Sequence, residues 1–437
     1  MLNRFLHLLF EKPIASLVVS GILIRLFCIL LYQHVTIFPD SEGYIELGQL
    51  LADFDVSGYN GQRSPGYPFL LFLSGNHPAI TLLLQFIIGL YTSVLVYQNL
   101  LLVKLDTKVS FLTALFLNTL LHVIFYETAI LTESLTLFVL TLIINLYLRY
   151  FFENASLFKM TIMSLAFGFL VLIKPFYFFL PFLFYGFSVL KNFSIRTIIN
   201  RRIVIIIFPI ISFLGWSYVN KINTGYFVPT TFYGINTVQN CVYFAEKAPD
   251  SFKTIRTIYV KHREIAKKEH KDVSMSIWFA YDELVETTGL SFVALSDELN
   301  QFSKVTIRNN PADYLYQVVC RSWIDFWKTG MYWNYHDFKI PYANKFLIGI
   351  WYIQWVVVQL FKIVFVLLIP VQLYEFIVRK KITHELVFTV IIFATSVLQA
   401  LVTYGTNSRF SFPFEFLMVI VVVIYCNQKG YLRFPKP

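Results

Sequence analysis

What this chain lacks decides its class. Only 14% of its 437 residues are charged, while 57% are hydrophobic. A water-soluble chain of this length needs far more charge to cover its surface. Cysteine is scarce: Cys28, Cys241, Cys320 and Cys426 are the whole supply, and no two have the spacing of a metal site. A cysteine zinc site and a disulfide framework are thereby excluded. A single bond between Cys241 and Cys320, which share one long segment between apolar runs, stays open. No glycine-rich nucleotide fingerprint is present. No internal repeat is visible, which speaks against an inverted-repeat transporter. The hydrophobic runs do not alternate, so barrel strands are excluded too.

What is present is a series of continuous apolar stretches, each long enough to cross a hydrocarbon core of roughly 30 Å. Ten such helices are expected, near 13–36, 78–103, 109–125, 132–150, 160–174, 176–190, 203–219, 346–371, 384–403 and 411–426. Lys174-Pro175 divides the fifth from the sixth, because proline disfavours helical geometry in the residue before it. The fold class is all-α and polytopic. The first run has no small-residue cleavage site and is read as a retained membrane helix.

The net charge of +10 fits cytoplasmic loops rich in Lys and Arg better than a nucleic-acid surface. With the N-terminus inside, the inner segments hold Arg4, Lys12, Lys104, Lys108, Arg149, Lys159, Lys191, Arg196, Arg201, Arg202, Arg379, Lys380, Lys381, Lys429, Arg433 and Lys436. The short outer segments hold chiefly Arg63 and Arg409, with Lys174 at the edge. Both termini are therefore placed inside. Three parts follow: a membrane module over 1–219 with a first outer loop at 37–77, an external helical domain over 220–345, and C-terminal membrane helices over 346–437. Within the first loop, apolar residues 44, 47, 51 and 54 recur at helical spacing and indicate a surface helix. The external domain reads as helices near 250–271, 275–288, 291–308 and 311–329, with Asn310-Pro311 as a helix start.

Under this topology the scarce ionisable residues gather on the outer side: Asp40, Glu42, Arg63, Glu127, Glu133, Lys174 and Arg409. Charge near the hydrocarbon boundary is costly and points by default to function. Each also has a plainer reading. Asp40 follows Pro39 and suits a helix N-cap. Glu133 suits a first helical turn, with Thr132 as its cap. Glu127 sits in a tight turn and suits a solvated position. Lys174 and Arg63 suit snorkelling to the interface, and Arg409 suits a topology role. Arg25 lies midway along the first helix and needs an interior partner that the sequence does not name. His262, His270 and His336 read as solvated. Taken together, two carboxylates and three cations on one face suit a reaction with a basic step and an anionic leaving group.

At this point the motifs resemble a known family. Pro39-Asp40-Ser41-Glu42-Gly43-Tyr44 after Ile24-Arg25-Leu26 is similar to the first-loop acid of the GT-C glycosyltransferases that use polyprenyl-phosphate sugars. Among these are the protein O-mannosyltransferases and the lipid A aminoarabinose transferases. Arg63-Ser64-Pro65-Gly66-Tyr67-Pro68, Leu131-Thr132-Glu133-Ser134-Leu135, Gly168 to Pro175 and Ser408-Arg409-Phe410-Ser411-Phe412-Pro413 match further family elements in order. The resemblance implies that Asp40 is the base that activates an acceptor hydroxyl. It implies that Glu133 is a second acid at the site, and that Arg63, Lys174 and Arg409 contact a donor phosphate. Glu42, Tyr67 and Glu127 join as candidate substrate contacts. The implied partners are a polyprenyl-phosphate-linked sugar, a glycan, lipid or protein acceptor, and the bilayer, with no nucleic acid. The implied chemistry is inverting. Some relatives use a divalent cation, so Mg or Mn held by Asp40 and Glu133 stays open. This chain departs from the mannosyltransferases in placing Ser41 between its two first-loop acids, and Lys174 stands where Arg is usual.

Two other functions compete. An O-antigen-type ligase or polymerase would rely on Arg and His in a large outer loop. A flippase would need mid-membrane charges and paired broken helices, and Arg25 alone is thin support for that. The sequons at Asn154 and Asn192 fall on inner segments, which favours a bacterial inner membrane with its active face toward the periplasm or exterior.

Overall fold

The computed structural model describes residues 10–153, 155–192 and 200–432. Arg4, Arg196, Arg433 and Lys436 of the basic count lie outside the described residues, as do Asn154, Phe193 and Ser194 of the two sequons. Among the described residues every regular element is helical, and the one β-type contact is an isolated bridge between Thr36 and Ala129. The chain runs α1 (Pro13–Tyr32), α2 (Pro39–Ala52), α3 (Gly66–Leu73), α4 (Pro78–Leu102), α5 (Thr107–Asn118), α6 (Leu121–Glu127) and α7 (Glu133–Leu146). It continues as α8 (Leu157–Ile173), α9 (Leu180–Asn192) and α10 (Ile207–Thr224), then α11 (Tyr233–Gln239), α12 (Lys253–Lys268), α13 (Tyr281–Thr288), α14 (Phe292–Asn309) and α15 (Pro311–Gln317). It ends with α16 (Ala343–Arg379), α17 (His384–Val402), α18 (Asn407–Ser411) and α19 (Glu415–Gln428).

Among the described residues seven helices are long and apolar enough to cross a membrane. The expected third span is broken instead: α5 and α6 meet at 56° across Thr119 and Leu120. The expected fifth and sixth are the short apolar helices Leu157–Ile173 and Pro175–Lys191. All ten apolar stretches are helical, but three depart from straight, full-length spans. This is the architecture of a multi-pass membrane protein. Large apolar side chains such as Leu23, Leu30, Ile353 and Leu367 are exposed on α1 and α16, as side chains facing lipid tails would be. The last apolar run is the central one: 78% of its span is buried, against 22% for the first.

The segment over 220–345 has its own core, in which Val238, Tyr259, Leu284, Leu299 and Phe302 pack together. Its helices fall close to the expected ranges, and Pro311 is the first residue of α15. Cys241 is buried in this core and Cys320 is exposed, and both are free thiols, so the disulfide left open by the sequence does not form. Burial pushes the Cys241 thiol up to about 12. Phe54, expected on the apolar face of α2, lies beyond the helix end and is 88% exposed.

Candidate functional site

The bridge at Thr36 positions the first carboxylate. Thr36 N–H donates to the Thr128 carbonyl and Ile130 N–H to the Thr36 carbonyl, each at 3.0 Å. These bonds bind the linker after α1 to the turn before α7. The start of α2 is then held by Ser41, whose Oγ accepts from Phe38 N–H at 2.9 Å and donates to the Ile130 carbonyl at 2.8 Å. Ser41 therefore does the capping work that the sequence offered to Asp40. Pro39 opens the helix and Asp40 follows it, its carboxylate turned to two arginines rather than to the backbone. Arg63 Nη2 donates to Asp40 Oδ1 at 3.0 Å, and Arg409 Nη1 donates to Oδ2 at 2.5 Å.

Arg409 is the bridge of the site. Its Nε donates to Glu133 Oε1 at 2.8 Å, and Lys174 Nζ reaches the same oxygen at 3.0 Å. Thr132 occupies the N-cap position of α7, but its hydroxyl makes no capping bond and instead donates to Glu133 Oε2 at 3.3 Å. The chain Arg63–Asp40–Arg409–Glu133–Lys174 thus joins five of the eight sequence-predicted site residues, drawn from five separate stretches. Three cations face two carboxylates, which leaves one positive charge in surplus.

Local sequence explains each arm. Lys174 precedes Pro175 and is extended, at φ −141° and ψ 103°, so α8 stops there and the side chain turns inward. Gly66 at the start of α3 lies against the same helix end: a Cβ there would sit 2.5 Å from Ile173 N and 2.6 Å from the Leu172 carbonyl carbon. The loop carrying Arg63 can come this close only with glycine. Arg63 itself lies between the rings of Tyr44, at 4.7 Å, and Phe232, at 4.5 Å. Arg409 stands in α18, where Asn407 N–H donates to Asp325 Oδ2 at 3.1 Å and Asn407 Nδ2 to the Ser322 carbonyl at 2.8 Å, so the segment after α15 holds this arm.

The two carboxylates differ in access. The Asp40 side chain is 37% exposed and that of Glu133 is fully buried. Burial raises the Asp40 carboxyl, but Arg409 and then Arg63 outweigh it and hold it well below the usual carboxylate range. The same two carboxylates were candidate ligands for Mg or Mn. Arg409 lies between them, with Arg63 paired to Asp40 and Lys174 to Glu133 on either side. Among the described residues no group of three or more His, Cys, Asp or Glu gathers.

Three predicted contacts lie elsewhere. Glu42 is exposed and forms no ion pair among the described residues. Tyr67 is fully buried, bonded through Oη to Gln85 and packed edge-on to Tyr44 at 5.3 Å, so it supports the ring beneath Arg63. Glu127 is not solvated but 1% exposed, and it is the missing partner of Arg25: Nε and Nη2 donate to its two oxygens at 2.7 and 2.6 Å. His262, read as solvated, hydrogen-bonds Glu283 at 2.8 Å.

Sequence reasoning missed a second buried network and one aromatic wall. Glu415 accepts from Lys362 Nζ at 2.7 Å and Thr329 Oγ1 at 3.0 Å, and lies 2.7 Å from His122 Nε2. Lys362 also donates to the Lys328 carbonyl at 2.9 Å. The signal was present, since Phe361-Lys362-Ile363 and Phe414-Glu415-Phe416 each strand one charge in an apolar run. Tyr332 stacks on Tyr126 at 5.0 Å and flanks Arg409 at 5.6 Å. Only the aromatic-rich segment around Gly330 marked it.

No family model and no curated protein matches the chain. Among solved structures it is similar to the Archaeoglobus fulgidus oligosaccharyltransferase in its apo form, at 13% identity and a TM-score of 0.48, covering 97% of this chain and 51% of that one. It is also similar to the oligosaccharyltransferase AglB from the same organism, in complex with an inhibitory peptide and a dolichol-phosphate, at 11% identity and a TM-score of 0.45, covering 98% of this chain and 53% of that one. A third similarity is to ArnT from Cupriavidus metallidurans bound to undecaprenyl phosphate, at 12% identity and a TM-score of 0.38, covering 97% and 81%. The chain spans about half the length of the oligosaccharyltransferases. At this degree of superposition the likeness adds nothing to the chemistry, which rests on the side chains.

Proposed function

We propose that the protein is a membrane glycosyltransferase of the GT-C type, which moves a sugar from a polyprenyl-phosphate donor to an acceptor hydroxyl on the outer face of the membrane. One observation carries this reading. An accessible carboxylate, Asp40, is embedded in a cluster with surplus positive charge, at the ends of apolar helices where a lipid-borne phosphate would lie.

Asp40 accepts the acceptor's hydroxyl proton as that oxygen bonds to the anomeric carbon. The bond from this carbon to the phosphate oxygen breaks, and its electron pair leaves with the phosphate. Attack opposite the leaving group inverts the anomeric centre. Arg63, Arg409 and Lys174 stabilise the charge that develops on the phosphate. Exposed apolar helix faces give the polyprenyl tail a hydrocarbon environment. The asymmetry of basic residues supports a site on the periplasmic or exterior face, and the sequon positions favour a bacterial inner membrane. The sugar and the acceptor follow from experiment: mass spectrometry of cell-surface glycans from cells carrying the wild-type or the Asp40→Asn gene. A linkage should disappear with the variant, since a positioned general base contributes about 10²–10⁴-fold. An unchanged glycan profile, with the variant present in the membrane at wild-type level, would reject the base assignment.

A further inference from the structure

We infer that Asp40 is an exchangeable latch on the cationic cluster: the lipid-linked phosphate must take Arg63 and Arg409 from it before Asp40 can serve the acceptor, so the donor binds first. This rests on the donor reading proposed above and adds an order to it.

The two carboxylates divide the labour. Glu133 is fully buried and holds Arg409 Nε and Lys174 together on one oxygen. No incoming group reaches it, so it acts as a fixed anchor. Asp40 is 37% exposed, and each of its oxygens faces a different guanidinium. An oxyanion that approaches the cations from solvent or from the bilayer surface meets these two pairs first. It competes for the same N–H groups. The donor's phosphodiester equals one carboxylate in charge and in free oxygens, and it presents them in a geometry that matches the arginine fork.

The guanidiniums can change partner without leaving their places. Arg409 stays tethered through Nε to Glu133 while its Nη1 swings away from Asp40. Arg63 is confined between the Tyr44 and Phe232 rings, which limit tilting but allow sliding in the plane of the fork. Its Nε is buried and has no hydrogen-bond partner, and among the described residues its ion pair is with Asp40. A carboxylate clamped by two arginines is a poor base, and releasing either one restores basicity. Donor binding and base activation are thereby one event. An acceptor that arrives without a donor meets an inactive carboxylate, which also protects the cluster from proton transfer without sugar transfer.

The latch makes an unusual prediction. Removing the charge of Asp40 should strengthen donor binding while abolishing turnover. The test uses the full chain purified in detergent and a polyprenyl monophosphate as probe, with dissociation constants measured for wild type, Asp40→Asn, Asp40→Ser and Arg409→Ala. Both Asp40 variants should bind about three- to tenfold tighter than wild type, and Arg409→Ala at least tenfold more weakly. Unfolding loses affinity, so a gain in either Asp40 variant cannot come from misfolding. Wild-type binding that needs Arg409 but is equal or weaker in both Asp40 variants overturns the latch and leaves the donor reading standing. If no variant binds the probe, or Arg409→Ala binds as wild type does, the donor reading itself fails and the latch falls with it.

Discussion

Two charged networks are built from the same residue types and differ in what they leave over. In the bundle, Arg25 meets Glu127 and Lys362 meets Glu415 with His122, and none of these side chains is more than 6% exposed. Cation and carboxylate cancel there, and each remaining donor finds an internal acceptor. A cavity of about 40 Å³ beside them, lined by Ser93, Asn118, Glu127 and Glu415 among others, has room for only a few waters. At the other network, three cations share two carboxylates, and Asp40 remains open to solvent. A closed, neutral network can hold helices together. An open one with surplus charge attracts an anion. The comparison separates structural from functional charge without appeal to position in the chain, and substitutions can test it.

The largest effect is expected in the closed network. Lys362→Met removes the cation that faces Glu415 and releases the Lys328 carbonyl, leaving a buried carboxylate short of its charge partner. Breaking one side of a buried pair costs about 3–5 kcal/mol. The variant should unfold at clearly lower temperature in detergent, by circular dichroism or a thiol-reactive dye. Because Lys362 contacts none of Asp40, Arg63, Glu133, Lys174 and Arg409, activity should fall with folded protein and no further. A variant that stays as stable as wild type would show that this charge is not structural, and the contrast would collapse.

How much of this was legible beforehand follows from what each feature depends on. Helices came from continuous apolar runs, a local property. The break between α5 and α6 was missed because Thr119 and Leu120 carry no proline or glycine to announce it. The five-membered network was expected as a gathering on one face, since lone charges beside apolar runs are visible in one dimension. Its wiring was not, because Arg409 and Asp40 are 369 residues apart in the chain. Glu127 was misplaced for the same reason: a turn glutamate looks solvated until Arg25, 102 residues away, is brought against it. The choice of Ser41 over Asp40 as the capping group rests on Ile130, another distant partner.

In the open network, Arg409→Lys should be the most damaging conservative change. Arginine bridges Asp40 and Glu133 through two different nitrogens, and a single ammonium cannot span both. Loss of one such charge-stabilising donor typically costs about 10²–10³-fold in rate. Transfer should fall by about that factor with little change in melting temperature, the opposite pattern to Lys362→Met. Equal loss of stability in the two variants would erase the distinction between the networks.

Gly66→Ala probes the frame between them. Its Cβ would meet backbone atoms at Ile173 and Leu172, which cannot rotate away, so the helix ends must part. Overpacking of this kind costs about 1–3 kcal/mol. The displacement acts on Arg63 and Lys174 together, so the apparent affinity for an anionic lipid should weaken more than that of a variant with a similar loss of stability elsewhere. Glu42→Ala, at an exposed acid outside both networks, is the matched control and should alter neither quantity.

The smallest effect is the acid dependence of stability, and it bears most directly on exposure. Asp40 has its carboxyl held below the unfolded value by Arg409 and Arg63 against the opposing effect of burial. A group depressed in the folded state adds stability that is fully present above its unfolded pKa of about 3.9 and is lost as pH falls through the folded value. With the side chain more than a third exposed, screening reduces this to the scale of surface pairs, about 1 kcal/mol or less. Unfolding in detergent between about pH 3 and pH 6 should therefore show a shallow acid decline in wild type that is smaller in Asp40→Asn, with the two curves parallel above about pH 5. A steep decline governed by Asp40 would mean that its pairs behave like the buried ones, and that the site is closed rather than poised to exchange partners.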